Sequence, residues 1–433
     1  MAAKFSVNDK VLVETKGSKY EGIVMPTLEG QEDVLIIKLA SGYNLGIKLT
    51  KEVSVKHVGK AEKGKQPSIK PPFRKNLPSI SIITTGGTIT SKVDYSTGGV
   101  SPLIKPEEVF LATPELLDIV NIKKIVQPFA IWSEDMTSAE WQVIAKEVAK
   151  ELNDPEVSGV MVTHGTDFLH YTASALSFIL KGLNKPVAIV GGQRSSDRGS
   201  FDGGMNLICA AHYLKSNIAE VAVVMHGSTQ DNFCYAIRGT NVRKMHTSRR
   251  DAFRPINELP LAKILPDGRI ERMNKILNLR SDKGKVEADV KFEPKIALIK
   301  YFPGADPAIL EYFMEKKYKG LIIEAAGLGQ VSTNEKQKTV WTPTLKKLIK
   351  AGVFVGFTPQ TIYGRIDPFV YSAGRILNEA GVCYLGNMLS ETAYTKLGWV
   401  LAHSKNLEET KKLMLTNMAG ELIEQILPKA FSD

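Results

Sequence analysis

From Pro78 to the C-terminus, short aliphatic runs alternate with longer amphipathic stretches. SISIITT (79–85), SGVMVTH (158–164), PVAIVGG (186–192) and EVAVVMH (220–226) are mostly apolar and show no sustained polar–apolar alternation. A strand that is apolar on both sides has to be covered on both sides. A parallel sheet between two helical layers does this. FLHYTASALSFIL (168–180) and GGMNLICAAHYL (203–214) supply helix-like segments between those strands. After a polar stretch at 270–292, read as a second linker or a hairpin, the pattern resumes. KIALIKYF (295–302), GLIIEAA (320–326) and VFVGF (353–357) are strands, and 334–350 and 388–401 are helices. The predicted fold class is therefore α/β, with two doubly wound units spanning 78–280 and 281–433.

The first 60 residues follow another rule. KVLVE, YEGIVMP, DVLIIKL and YNLGIKL are short strand-like runs punctuated by Gly17, Gly30 and Gly42. Val11 and Val13, then Ile23 and Met25, alternate as half-buried strands do. About five such strands predict a small barrel similar to an SH3-like one. That is too small to be an enzyme by itself and suits a docking or rigidifying module. Residues 61–77, with Pro67, Pro71 and Pro72 among basic residues, read as a linker.

Composition narrows the function classes. The 43% apolar and 24% charged shares are those of an ordinary globular chain. No apolar run reaches the roughly 18 residues of a membrane helix, and the N-terminus lacks the pattern of a signal peptide. A cytoplasmic location is the expectation. Three distant cysteines (Cys209, Cys234 and Cys383) and seven scattered histidines predict neither a disulfide framework nor a metal centre. The net charge of +10 is compatible with an RNA partner and equally with a soluble, lysine-rich surface.

In open α/β sheets ligands bind at the carboxyl ends of strands, so the residues after each strand matter most. Thr84-Thr85-Gly86-Gly87-Thr88-Ile89 follows the first strand. Its two glycines permit a sharp turn that exposes Thr88, and it lacks the Lys-Ser/Thr of a phosphate loop. His164-Gly165-Thr166-Asp167 follows the 158–164 strand. Taken alone, Thr166 and Asp167 read as a helix N-cap. Lys244 lies among Arg238, Arg243, Arg249 and Arg250. It reads either as part of a basic surface loop or as a lysine whose pKa is lowered by neighbouring charge, able to act as a base.

Together these segments resemble the L-asparaginase/glutaminase amidohydrolases of the bacterial type. TGGTI (85–89), HGTD (164–167) and Lys244 with Thr247 and Phe253 occur in that family's order and approximate spacing. Ser133 in WSEDM, the VGGQR loop (190–194) and Gly327-Leu328-Gly329 extend the match over about residues 78–433. The resemblance implies Thr88 as nucleophile, helped by Tyr95 on the SKVDYSTGG loop, and Thr166, Asp167 and Lys244 as a second trio. It places Ser133 and Glu134 at the substrate's α-carboxylate and amino group. Backbone around Gly87, Thr88 and Gly192 would form the oxyanion hole. It implies a homodimeric core and no metal or organic cofactor bound to this chain.

The chain departs from that pattern at Glu134, at Gln330 and at Arg365 in TIYGRID (361–367). Arg365 falls near the position where a neighbouring protomer usually supplies a glutamate. Asp367 and Glu391 are candidates for the missing carboxylate. Residues 6–25, the basic linker and ETAYTKLGW (391–399) resemble the D subunits of archaeal Glu-tRNA(Gln) amidotransferases. That resemblance implies a glutaminase sending ammonia to a partner, the E subunit of the amidotransferase. The partner uses ATP and magnesium to amidate Glu-tRNA(Gln), with a heterotetramer as the assembly. A stand-alone asparaginase is the alternative.

Overall fold

A computed structural model describes residues 5–7, 9–25, 33–40, 44–60, 73–87, 89, 92–93, 100–101, 113–195, 200–281 and 283–431. The N-terminal domain contains β1 (Asp9–Thr15), β2 (Ser18–Met25), β3 (Val34–Leu39), β4 (Asn44–Lys48) and β5 (Ser54–Lys60). They pair antiparallel in the order β4-β3-β2-β1-β5. Val11, Val13, Val24, Leu35, Ile37 and Ile47 form its core. This is the small β domain expected. Most of the predicted linker, 61–72, lies outside the described residues.

The next unit is built on an eight-stranded sheet. Its strands are β6 (Ser79–Thr84), β7 (Asn121–Val126), β8 (Val157–Thr163), β9 (Val187–Val190), β10 (Val221–His226) and β11 (Cys234–Arg238), with β14 (Ala262–Ile264) and β15 (Ile270–Arg272) at one edge. The separate hairpin of β12 (Val242–Lys244) and β13 (Phe253–Pro255) stands beside it. The order is β15-β14-β11-β10-β9-β8-β6-β7. Five strands run parallel, but β11, β14 and β15 add antiparallel, so the sheet is mixed rather than wholly parallel. The link from β10 to β11 explains this. Residues 227–233 can make a hairpin but not the crossover of a dozen or more residues that a parallel neighbour needs.

The predicted covering of both faces is observed. Ile83, Val160, Val162, Ile189 and Val223 face α1 (Ser138–Leu152) and α2 (Leu169–Ile179). Ile80, Ile82, Met161, Ala188 and Val224 face α3 (Gly203–Leu214). Successive residues of one strand thus enter opposite layers, as the period of two demands.

The C-terminal unit has a parallel sheet of β16 (Ile296–Lys300), β17 (Gly320–Ala325), β18 (Phe354–Pro359) and β19 (Cys383–Tyr384). Its helices are α4 (Ala308–Glu315), α5 (Thr342–Lys350), α6 (Ser372–Glu379), α7 (Ser390–Leu401) and α8 (Leu407–Met414). The helix predicted over 334–350 is shorter. Pro343 occupies the first turn of α5, where its missing N–H has no intrahelical partner to lose, so the helix starts there. The core joins the two units, because Ile322, Phe354, Leu397 and Val400 belong to the same cluster as Ile83 and Leu169. The α2–α7 contact carries that junction, with Ser174 Oγ 2.7 Å from Thr395 Oγ1. The polar stretch at 270–292 contributes β15 and a two-residue bridge from Glu287–Ala288 to Leu180–Lys181.

Candidate active site

The carboxyl ends of β6 and β8 lie side by side, with Thr84 opposite Thr163. Beyond β6 the chain folds over the end of β8. Thr85 N and Thr85 Oγ1 both donate to Thr163 O, at 3.1 and 3.0 Å. Gly86 and Gly87 then take φ of +107° and +84°. A Cβ at Gly87 would lie 2.4 Å from the Gly165 Cα, a backbone atom that cannot move aside. The two predicted glycines therefore serve both the turn and the close approach of two loops. A Gly87→Ala protein should lose at least about tenfold in amide hydrolysis, because left-handed strain of roughly 1–2 kcal/mol adds to that clash. Steady-state ammonia release would measure it, and full activity would show that the approach of the two loops is dispensable. Thr88 and Tyr95 lie outside the described residues.

Past β8, the His164–Phe168 loop leads into α2. The N-cap of α2 is Phe168, without a side-chain capping bond. Thr166 and Asp167 are thus not capping residues. They meet Lys244 instead, whose Nζ donates to Thr166 Oγ1 at 2.9 Å and to Asp167 Oδ1 at 2.7 Å. The lysine arrives from β12, where it pairs in register with Phe253 of β13. Its side chain is 8% exposed and that of Asp167 62% exposed. This is no surface-loop lysine, although its sequence neighbours are basic. Those neighbours each face a carboxylate. Arg238 meets Glu220 and Glu258, Arg249 meets Asp251, Arg250 meets Asp231, and Arg243 lies near Glu391.

Ser133 and Glu134 open a 3-10 turn on the opposite side of the His164–Phe168 loop. The buried Ser133 Oγ accepts from Phe168 N at 3.3 Å and lies 3.4 Å from Glu134 Oε2. Both residues border an open groove of about 440 Å³ walled by Trp141, Phe168, Tyr171 and Phe292. On the third side is the 190–194 loop. A Cβ on Gly191 would lie 2.8 Å from Thr166 Cγ2. Gln193 N and Arg194 N donate to the Asp202 carboxylate at 3.0 and 2.9 Å. Asn206 Nδ2 donates to Gly191 O at 2.9 Å. This fixes the backbone around Gly192. Asp202 and Asn206 escaped the sequence reading, which took 203–214 only as a helix covering the sheet.

Two buried histidines flank the trio. Burial pushes the pKa of His164 down to about 4. Burial, with Arg243 and Lys244 adding to it, pushes that of His170 down to about 3. Both imidazoles are therefore neutral at pH 7.

The carboxylate candidates are otherwise engaged. Glu391 is 2% exposed and sits at the start of α7, facing Ser390, Arg243 and His170 within its own chain. Burial in that cluster keeps it from a substrate, which corrects the expectation. Asp367 Oδ1 accepts from Phe369 N at 2.8 Å, and Arg365 Nη2 donates to Ile423 O at 2.8 Å. Gln330 Oε1 accepts from Leu328 N at 3.0 Å and braces its own loop. Among the described residues no group of three His, Cys, Asp or Glu side chains could hold a metal ion. No described helix is long and apolar enough to cross a membrane.

Comparison with known proteins adds three findings. The model of "Asparaginase, N-terminal" matches residues 79–277, that of "Glutaminase/Asparaginase C-terminal domain" residues 295–414, and that of "GatD N-terminal domain" residues 5–58. Among curated relatives, the D subunit of the glutamyl-tRNA(Gln) amidotransferase of Pyrococcus furiosus is 48% identical, covering 95% of this chain and 93% of its own. The D subunit of the Sulfurisphaera tokodaii enzyme is 41% identical over 98% of this chain and 93% of its own. Among solved structures, L-asparaginase I from Vibrio cholerae superposes with a TM-score of 0.69 at 28% identity, covering 80% of this chain and 99% of its own. The thermostable L-asparaginase from Thermococcus kodakarensis gives 0.71 at 25% identity, covering 80% and 100%.

Proposed function

This chain belongs to the family of glutamyl-tRNA(Gln) amidotransferase D subunits built on the asparaginase fold, and from that premise we propose that it hydrolyses the side-chain amide of glutamine and passes the ammonia to a partner chain. The observation that carries this reading is Lys244 Nζ bridging Thr166 Oγ1 and Asp167 Oδ1, deep in the angle between the Gly87 and Gly192 loops.

A threonine hydroxyl barely ionises near neutral pH and needs a base to take its proton as it attacks. In this reading Thr88 attacks the amide carbonyl, with Tyr95 assisting. Its proton passes toward the Thr166–Lys244 pair, while Asp167 holds the lysine in line. The carbonyl oxygen becomes an oxyanion facing backbone N–H donors at Thr88 and Gly192, each such donor being typically worth about 3 kcal/mol. Ammonia leaves with a proton returned to it. Water then attacks the acyl-threonine by the same route and frees glutamate. Ser133 and Glu134 would orient the amino-acid end of the substrate. This chain needs neither a metal nor an organic cofactor for these steps. ATP and magnesium would be used by the partner E subunit when it amidates the glutamate of Glu-tRNA(Gln). A homodimeric core, a heterotetramer with the E subunit and a cytoplasmic location complete the proposal. Asparagine is a second acceptable amide donor.

Coupling is what separates this reading from a stand-alone asparaginase. Ammonia release from glutamine by the isolated protein should be slow and should rise at least about tenfold when the E subunit, ATP, magnesium and Glu-tRNA(Gln) are added. High asparagine turnover, indifferent to those additions, would mean a free asparaginase.

A further inference from the structure

We propose that Glu391 is a positioning residue which, through Arg243, fixes the strand from which Lys244 reaches Thr166 and Asp167. The inference rests on the reading of Lys244 as the proton acceptor.

The hairpin that carries Lys244 is poorly held by its own ladder. β12 and β13 have three residues each, and Val242 pairs with Pro255, which has no N–H to donate. Side chains must therefore set its orientation. Val242 is buried in the main core. Along a strand successive side chains point to opposite faces, so Arg243 leaves on the face opposite Val242 and Lys244. Arg243 also stands in register with Arg254, and like charges directly opposite each other destabilise a strand pair. Arg254 is compensated by Asp251, which also holds Arg249. The carboxylate within reach of Arg243 is Glu391, whose Oε1 lies 3.6 Å from Arg243 Nε.

Glu391 is expensive to keep where it is. It is 2% exposed, and its Oε1 has no hydrogen-bond partner among the described residues. Its neighbours at charge-contact distance are Arg243 and His170, the latter 3.8 Å away at Nε2. Its other oxygen, Oε2, lies 3.1 Å from Ser390 Oγ. That hydroxyl is also 2.6 Å from Glu324 Oε1, and its one proton serves one of them. A glutamine or a leucine would remove the cost of the buried charge, whereas the carboxylate offsets the guanidinium beside Lys244. The groups facing it are Arg243 from β12, His170 and Tyr171 from α2, Ser390 from α7 and Glu324 from β17. His170 stands between the cluster and the trio: its Nε2 lies 3.8 Å from Glu391 Oε1, and Lys244 and Asp167 are near enough to influence its protonation.

The test uses the full chain with its partner and four variants: Glu391→Gln, Arg243→Gln, their double variant and Lys244→Met. Glu391→Gln should fold and lower kcat by between about ten- and a hundredfold with KM within about twofold, the signature of a misplaced group. The acid limb of kcat/KM should move to lower pH, because an uncompensated Arg243 disfavours the protonated lysine. The double variant should be no worse than either single one, since both break one link. Wild-type kcat and pH profile per folded molecule in Glu391→Gln would overturn the proposal, as would losses that simply add. Activity retained in Lys244→Met would sink the reading of Lys244 itself. Activity lost there but intact in Glu391→Gln would sink only the role of Glu391.

Discussion

A Lys244→Met protein is expected to unfold at the wild-type midpoint while releasing ammonia from glutamine at least about a thousandfold more slowly. The two halves of this result have separate causes. Among the described residues the lysine is the amine that touches both Thr166 and Asp167, and in its neutral form it would accept the proton leaving the nucleophile, so without it that side has no acceptor. Positioned acid–base groups contribute about 10²–10⁴ in rate, so the expected loss is roughly 4 kcal/mol of barrier. Stability is affected little because Asp167 is 62% exposed and recovers water when its partner goes. An ion pair with one solvent-facing member is worth about 0–1 kcal/mol. Methionine fills the space of the aliphatic stem, which is the buried part of the side chain. Denaturant midpoints and single-turnover ammonia release would give the two readouts, and wild-type turnover would remove Lys244 from the reaction.

Why such a site can be read from sequence, and where the reading stops, follows from the chemistry of each segment. Strands β6, β8, β9 and β10 were legible because they are covered on both faces, so their residues are predominantly apolar. The sharp turn at Gly86 and Gly87 was legible because positive φ is a demand that few other residues meet. Helix α1 was overlooked although its signals are present. Thr137 and Glu140 form a reciprocal capping box, and Trp141, Ile144, Ala145, Val148 and Leu152 repeat at helical spacing. Strand β7 was missed because it is an edge strand carrying Lys123 and Lys124, which mask its apolar side. The antiparallel edge of the main sheet could not be inferred from apolar runs alone, since β14 and β15 are three residues each.

The site itself was only half legible. Lys244, Thr166 and Asp167 are separated by nearly eighty positions in sequence, and nothing local says that they touch. The resemblance to a known family joined them, and the geometry supplies the reason they can act together. The opposite error concerned Glu391. Its sequence made it a candidate for the missing carboxylate, but the residue is 2% exposed. Its burial follows from the α2–α7 contact, and tertiary packing of that kind leaves no local trace.

The largest stability effect is expected from Lys396, which lies fully buried in α7 with Glu421 as its equally buried partner. Its three ammonium protons are all used: Nζ donates to Met414 O at 2.8 Å, Thr416 O at 2.6 Å and Glu421 Oε1 at 2.5 Å. Glu421 in turn accepts from Met418 N and Ala419 N at 3.0 and 2.7 Å. Burial pushes the pKa of Lys396 down, and Glu421 opposes that fall. Removing one partner leaves the other charge stranded without solvent, so Lys396→Met should cost about 3–5 kcal/mol. Pairing Lys396→Met with Glu421→Leu should recover a large part of that loss, because the desolvated charge then disappears along with its partner. Equal losses in the single and double variants would show that the hydrogen bonds to Met414, Thr416, Met418 and Ala419, rather than the charge pair, hold the segment. The consequence reaches the active site. Ala419 O and Gly420 O, in the segment pinned by Glu421, accept from Thr240 Oγ1 at 3.0 Å and Asn241 Nδ2 at 2.6 Å. Those two residues immediately precede β12. A loosened 414–421 segment frees the base of the strand that delivers Lys244. Folded Lys396→Met protein should therefore show a lower kcat as well as a lower midpoint, whereas a purely structural pair would lower the midpoint alone.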